Sequence, residues 1–277
     1  MYLAHFGLTE LPFGITPDTQ FIYAGSSHQG ALNTLLIAYQ TGEGFIKVTG
    51  EVGTGKTLLC RRFLSQLEPD TVAAYIPNPM QEPRALLASV AEEFGAAAGN
   101  DAAFLIKSLN RRLLELAAEG KRALLCIDEA QTIPPLTLES IRLLSNLETE
   151  KRKLLQIVLF GQPELDEKLS APSARQLLQR IVFHHDIAPL PKRELQDYLD
   201  HRMLVAGHRG ASVFLPAATR LIHRHSGGTP RLINIIAHKA LLAAWGEGHH
   251  HVTAAMVRRA AADTQGARQI RWWQFSF

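Results

Sequence analysis

The run Gly50-Glu51-Val52-Gly53-Thr54-Gly55-Lys56-Thr57 constrains this chain more than any other stretch of it. It meets G-x-x-x-x-G-K-[ST] at every fixed position, in the setting the chemistry requires. The apolar residues Phe45 to Thr49 predict a strand leading in, and Leu58–Leu67 predicts a helix leading out. The glycines let the backbone curl so that successive N–H groups point inward at a phosphate. Lys56 then reaches the β- and γ-phosphates, Thr57 offers its hydroxyl to Mg²⁺, and the helix start adds the positive end of its dipole. The nucleotide-binding set read here is Gly50 to Thr57 with Leu58 at the head of the helix, and the cofactors implied are ATP and Mg²⁺. A chance glycine-rich turn is the bland alternative, and the flanking strand and helix argue against it.

The order of elements predicts an α/β fold. Val72–Ile76, Ala123–Ile127, Leu154–Phe160 and Val182–Ala188 join the first strand to make a five-stranded sheet. Ala123-Leu124-Leu125-Cys126-Ile127 is apolar throughout, as expected of a strand covered on both faces of a parallel sheet. Helical spacing marks Ser27–Tyr39, Pro83–Phe94, Asp101–Ala118 and Pro135–Glu148, with short helices at Glu164–Leu169 and Ser173–Gln179. From Lys192 onward only helical patterns occur: Glu194–Val205, Pro216–His225, Pro230–Ala244 and Thr253–Ala262.

Charge follows the same division. Residues 1–190 carry 17 Lys/Arg against 21 Asp/Glu, a net of −4, and residues 191–277 carry 12 against 5, a net of +7. Pro189-Leu190-Pro191 punctuates the change. The expected domains are therefore an α/β nucleotide-binding domain over 1–190, a helical lid over 191–265, and a basic, aromatic tail over 266–277. The cations of the second part face either the nucleotide or an external polyanion. They are spread out and not clustered, so nucleic acid is the less favoured partner. No apolar run approaches the roughly 20 residues that cross a bilayer, and the N-terminus lacks the layout of a secretory signal. Cys60 and Cys126 both fall in elements read as buried, so they are expected as core thiols of a cytoplasmic protein.

Several side chains beyond the loop are placed to do chemistry. Asp128 and Glu129 follow the apolar third strand, at the edge where open α/β sheets bind ligands. Asp128 is expected to hold Mg²⁺ opposite Thr57, and Glu129 to orient the attacking water. Gln162 follows the fourth strand and either hydrogen-bonds the γ-phosphate or the water, or caps the helix begun by Pro163. Arg175 and Arg180 precede the fifth strand, and either could act on a neighbouring subunit's nucleotide in trans. Arg231 opens a helix whose start is fixed by Thr229 and Pro230, a rigid place from which to present a cation to phosphate. His249-His250-His251 and His184-His185 lack spaced partners, and no metal is assigned to them.

Together these residues resemble the AAA+ ATPases, and within them the secretion branch typified by ExeA. The resemblance runs from Phe6-Gly7-Leu8 to about Thr264. It includes Gly44–Thr57, Ile127-Asp128-Glu129-Ala130-Gln131, Phe160-Gly161-Gln162-Pro163-Glu164-Leu165 and Gly227-Gly228-Thr229-Pro230-Arg231-Leu232-Ile233-Asn234. It implies sheet order 5-1-4-3-2, Gln162 in the first sensor region, Arg180 as arginine finger and Arg231 as the second sensor. It also implies that Phe21–Tyr23 and His28 lie near the adenine. Longer members of the branch continue into a membrane span and a periplasmic module, and this chain ends at Phe277. It looks more like the shorter ATPases of mannose-sensitive haemagglutinin type IV pilus assembly. The expected activity is ATP hydrolysis that drives or regulates pilus or secretion assembly. The expected partners are further copies of the chain, in a nucleotide-dependent oligomer such as a ring, and an inner-membrane assembly protein. A DNA-binding ATPase of the transposition or replication-initiator type and a slow ATP-gated switch are the alternatives.

Overall fold

Four largely apolar runs and the more polar Phe183–Ile187 become one parallel sheet in the computed structural model, which describes residues 2–149 and 153–269. The strands are β1 (Phe45–Gly50), β2 (Thr71–Ile76), β3 (Arg122–Ile127), β4 (Gln156–Gly161) and β5 (Phe183–Ile187). Their order is β2-β3-β4-β1-β5, with every neighbouring pair parallel, which is the implied 5-1-4-3-2 read from the other edge. β4 is the central strand with β3 and β1 beside it, and β3 and β4 are apolar along most of their length because successive side chains point to opposite faces and both faces are covered. Leu125, Ile127, Ile157 and Leu159 pack in one hydrophobic layer, whereas Leu124, Cys126, Val158 and Phe160 pack in the other.

The helices follow the expected pattern closely. A short α1 (Leu3–Phe6) precedes α2 (Ser26–Thr41), α3 (Lys56–Leu64), α4 (Pro83–Glu93), α5 (Ala102–Ala118), α6 (Pro135–Leu144), α7 (Glu164–Ser170) and α8 (Arg175–Leu178). After β5 come α9 (Leu195–Val205), α10 (Pro216–Ser226), α11 (Pro230–Gly246) and α12 (Ala254–Ala262). Proline stands at the first turn of α4, α6, α10 and α11, where its missing N–H has no intrahelical partner to lose. α6 ends four residues earlier than the sequence pattern suggests. Ser145 bends its hydroxyl back to the Arg142 carbonyl at 2.7 Å, and the chain turns there.

The chain divides into two compact units. One consists of residues 28–52 and 59–187 and holds the whole sheet with the two layers that cover it. The other consists of residues 2–27, 53–58 and 188–269. In it Tyr2, Phe6, Leu8, Phe13 and Phe21 share one hydrophobic cluster with α9 to α12. The N-terminal segment, counted with the sheet in the linear reading, thus packs with the C-terminal helices. The buried Arg202 of α9 donates from Nε to the Pro12 carbonyl at 2.6 Å, and its guanidinium lies 4.8 Å from the centre of the Phe21 ring. Asn234 of α11 donates to the Gly14 carbonyl at 3.1 Å and accepts the Tyr198 hydroxyl at 2.7 Å. Tyr23 meets Tyr198 edge to face. The Trp272-Trp273 and Phe275 part of the expected tail lies outside the described residues.

Candidate nucleotide site

The phosphate loop leaves the carboxyl end of β1 at Gly50 and enters α3 at Lys56. Gly53 and Gly55 have φ of 80° and 94°, a region that glycine adopts without steric cost. The loop can therefore curl tightly enough for its N–H groups to converge. Lys56 and Thr57 open α3, so their own N–H groups are among those with no intrahelical acceptor. Thr54 and Lys56 are buried, whereas Glu51 and Val52 are exposed. Leu58 is half-buried in the first turn of the helix.

Arg231 meets this loop directly. Its backbone N–H donates to the Gly53 carbonyl at 3.2 Å, and a Cβ built on Gly53 would lie 2.6 Å from Arg231 Cβ. The start of α11 therefore rests on the loop, with Arg231 itself exposed. Thr229 precedes α11 as expected, although its side chain makes no cap hydrogen bond. Gly53→Ala is expected to cost about 1–3 kcal/mol more than Gly120→Ala through this collision. Gly120 has a φ of 77° with nothing near its would-be Cβ, so the pair removes the backbone term. Thermal unfolding of both variants measures the difference, and equal losses would show that Gly53 and Arg231 do not press on each other.

At the same carboxyl edge of the sheet, β3 delivers Asp128. Its N–H continues the ladder to the Ile76 carbonyl at 2.9 Å, and its side chain is 1% exposed. Asp128 Oδ1 accepts the N–H of Glu129 at 2.9 Å. Glu129 then turns the chain with φ 51°, the one positive value outside glycine among the described residues. A left-handed residue reverses the chain sharply and aims the side chain away from that of its predecessor, at a steric cost of about 1–2 kcal/mol. Strain of this kind is characteristic of functional positions.

The Glu129 carboxylate is held through one oxygen. Its Oε2 accepts from Gln131 Nε2 at 2.5 Å and from Gln162 Nε2 at 3.2 Å. Gln131 Oε1 in turn accepts the backbone N–H of Gln162 at 3.0 Å. The Gln162 side chain thus reaches Glu129 and does not cap α7, whose start has the Gln162 carbonyl accepting from the Leu165 N–H at 2.9 Å. Gln131 was visible in the sequence only as a member of a matching stretch, with no role attached.

Two further residues lie beside Asp128: Tyr75, which had no sequence signal, and Cys60, expected only as a core thiol. Burial pushes the Tyr75 phenol up to about 12, with the Asp128 carboxylate adding to the rise and the hydrogen-bonded Arg61 guanidinium opposing it. Tyr75 therefore remains a neutral neighbour of that charge. The Cys60 thiol is pushed well up, first by its hydrogen bond with Cys126 and then by burial. Both cysteines are free thiols in the layer that also packs α3 on β3.

The Thr57 hydroxyl and the buried Asp128 carboxylate are each oxygen ligands of the kind that Mg²⁺ prefers. Arg180 is not brought to this edge. Val182 N–H donates to the Phe45 carbonyl at 3.2 Å, so Arg180 lies level with the start of β1. At about 3.3 Å per residue, the end of that strand is roughly 16 Å away. Arg180 Nη1 donates to Ser145 Oγ at 2.7 Å, and Arg175 is exposed on α8. A cavity of about 370 Å³ lined by Gln40, Arg122 and Gln156 includes none of the site residues.

Residues 39–169 match the family model described as an AAA domain. The chain is 43% identical over 276 residues to general secretion pathway protein A of Aeromonas hydrophila. That match takes in 99% of this chain and 50% of the relative, so the chain spans half the length of the protein it resembles. Among solved structures, the Aeropyrum pernix ORC2 protein is similar with a TM-score of 0.65 at 17% identity, over 90% of this chain and 72% of that one. The Thermotoga maritima RuvB branch migration motor is similar with a TM-score of 0.54 at 16% identity, over 91% and 73%. At these identities the two structures speak for the fold alone. With the parallel sheet, the phosphate loop and the paired carboxylates in place, residues 39–169 match an AAA domain, in a chain similar over nearly all of its length to general secretion pathway protein A.

Proposed function

We propose that this chain hydrolyses ATP and uses the cycle to drive or regulate assembly of a type IV pilus or a related secretion machine. The observation that carries the reading is the buried Asp128 followed by the left-handed Glu129, at the sheet edge where the phosphate loop begins. In this reading the loop N–H groups from Gly50 to Leu58 and the Lys56 ammonium hold the triphosphate. Thr57 and Asp128 hold Mg²⁺, which supplies charge neutralisation at the phosphates when bound. Glu129 orients the attacking water and accepts its proton at the carboxylate. Gln162 supports that carboxylate, and Arg231 lends its cation to the phosphates from the start of α11.

Arg180 needs a different route, since it lies at the amino edge of its own sheet. A second copy of the chain can present it to a nucleotide it cannot reach in its own subunit, and Arg175, exposed on α8, is the other candidate for that role. The reading therefore includes a nucleotide-dependent homo-oligomer. Coupling to the envelope through an inner-membrane partner is proposed from the likeness to the secretion relative. Among the described residues no helix is long and apolar enough to cross a membrane.

ATPase turnover measured against protein concentration tests this reading. Turnover per subunit is expected to rise with concentration in the wild type, and Arg180→Ala is expected to keep the low value seen on dilution while still binding ATP. Concentration-independent turnover that ignores the substitution would sink the shared site. Turnover that rises only with DNA, and falls steeply with salt, would favour a DNA-dependent enzyme instead.

A further inference from the structure

Gln131 is the residue whose geometry goes furthest beyond the roles above. Both ends of its carboxamide are used, with Nε2 on Glu129 Oε2 and Oε1 on the N–H of Gln162. It thus ties the carboxylate that follows β3 to the first turn after β4. Only a carboxamide of this length does both jobs. A carboxylate at 131 lacks the donor and sets a like charge against Glu129. A methionine matches the length and supplies neither bond.

The backbone beneath Gln131 is anchored independently. Lys168 of α7 donates to the carbonyls of Gln131 and Ile133, the latter at 3.1 Å. The N–H and hydroxyl of Thr132 both donate to the Glu129 carbonyl, at 2.9 and 2.8 Å. The β4 turn also passes close by. A Cβ built on Gly161 would lie 2.7 Å from Leu165 Cδ2 and 3.4 Å from Gln131 Oε1, so glycine is what allows the approach.

The two donors to Glu129 share Oε2, and Oε1 has no hydrogen-bond partner among the described residues. A carboxylate hung on three rotatable bonds samples several orientations, and a proton acceptor works only in the one that meets its water. We propose that Gln131 is a positioning residue for hydrolysis. It braces Glu129 through Oε2 against the β4 turn and leaves Oε1 as the oxygen that meets the attacking water. This inference rests on the hydrolytic reading proposed above.

A double-mutant cycle tests it, with ATP affinity measured beside kcat for wild type, Gln131→Met, Glu129→Gln and the double variant. Loss of a hydrogen bond to a charged group predicts that kcat of Gln131→Met falls about 10- to 100-fold. The KM and Kd for ATP are expected to stay at their wild-type values. The double variant is expected to be no slower than Glu129→Gln alone, because with the carboxylate gone there is nothing left to brace. A merely structural Gln131 would lower both backgrounds by the same factor, and that result would overturn the proposal. So would a Gln131→Met enzyme as fast as, or faster than, the wild type. If Gln131→Met does not fold, Gln131→Glu serves in the same cycle with the same expected non-additivity, since it keeps the acceptor for Gln162 and loses the donor. A Glu129→Gln enzyme as fast as wild type would remove the hydrolytic reading and the brace with it. An additive cycle built on an inactive Glu129→Gln removes the brace alone.

Discussion

Glu129→Gln is expected to lower kcat by about 10²- to 10⁴-fold, the usual worth of a positioned general base. ATP affinity is expected to stay within about threefold of wild type, well under the 1.4 kcal/mol that a tenfold change represents. The separation follows from the geometry. The amide oxygen of glutamine can still accept from Gln131 and Gln162 as Glu129 Oε2 does, so the left-handed turn and its supports remain satisfied. What disappears is the capacity to take a proton from water. Because Asp128 receives the Glu129 backbone N–H and not its side chain, the proposed role of Asp128 at Mg²⁺ is not drawn into the change. Steady-state hydrolysis with nucleotide binding measured on the same preparation checks both halves. Wild-type turnover in the variant would place the base elsewhere. Loss of binding would show that the carboxylate acts on the nucleotide and not on the water.

Much of this site was legible in the sequence for a physical reason. The phosphate loop works through backbone geometry, which demands glycine at fixed steps, and Asp128 and Glu129 sit at the end of a strand that must be apolar because both its faces are buried. Local chemistry of that kind leaves a local signature. The same holds for helix starts, where Pro83, Pro135, Pro216 and Pro230 mark the first turns. The features that were not legible come from contacts far apart in the chain. Tyr75 comes beside Asp128, and Arg61 beside Tyr75, only because β2 and α3 flank β3, and nothing in either stretch announces it. The N-terminal segment packs on α9 and α11 across about two hundred residues, through Arg202 and Asn234, whose partners are backbone carbonyls that any sequence would offer. Gln131 belongs between these cases. Its position two residues after Glu129 was plain, but its role depends on the turn after β4. The edge on which Arg180 lies was equally hidden until β5 was paired in register with β1.

Lys56→Ala is expected to attack the other half of the cycle, weakening ATP binding about 100-fold, as the loss of a charge-assisted contact worth about 1.5–3 kcal/mol allows. Lys56 is only 5% exposed at the first position of α3, so bulk water is poorly placed to replace it at the phosphates. The effect can be read without any chemistry, through the stability that ligand binding lends to the fold. At an ATP concentration of 100 times the wild-type Kd, binding adds about 2.7 kcal/mol to unfolding. For a variant with a Kd 100-fold higher, the same ATP adds only about 0.4 kcal/mol. For a chain of this size each kcal/mol moves the melting temperature by about 2–4 °C. The wild type and Glu129→Gln should therefore show a large ATP-dependent rise in melting temperature, and Lys56→Ala almost none. A full rise in Lys56→Ala would show that the loop N–H groups bind the triphosphate without the ammonium. An absent rise in Glu129→Gln would contradict the division of labour, because a residue that serves only the water has no means of weakening the grip on the phosphates.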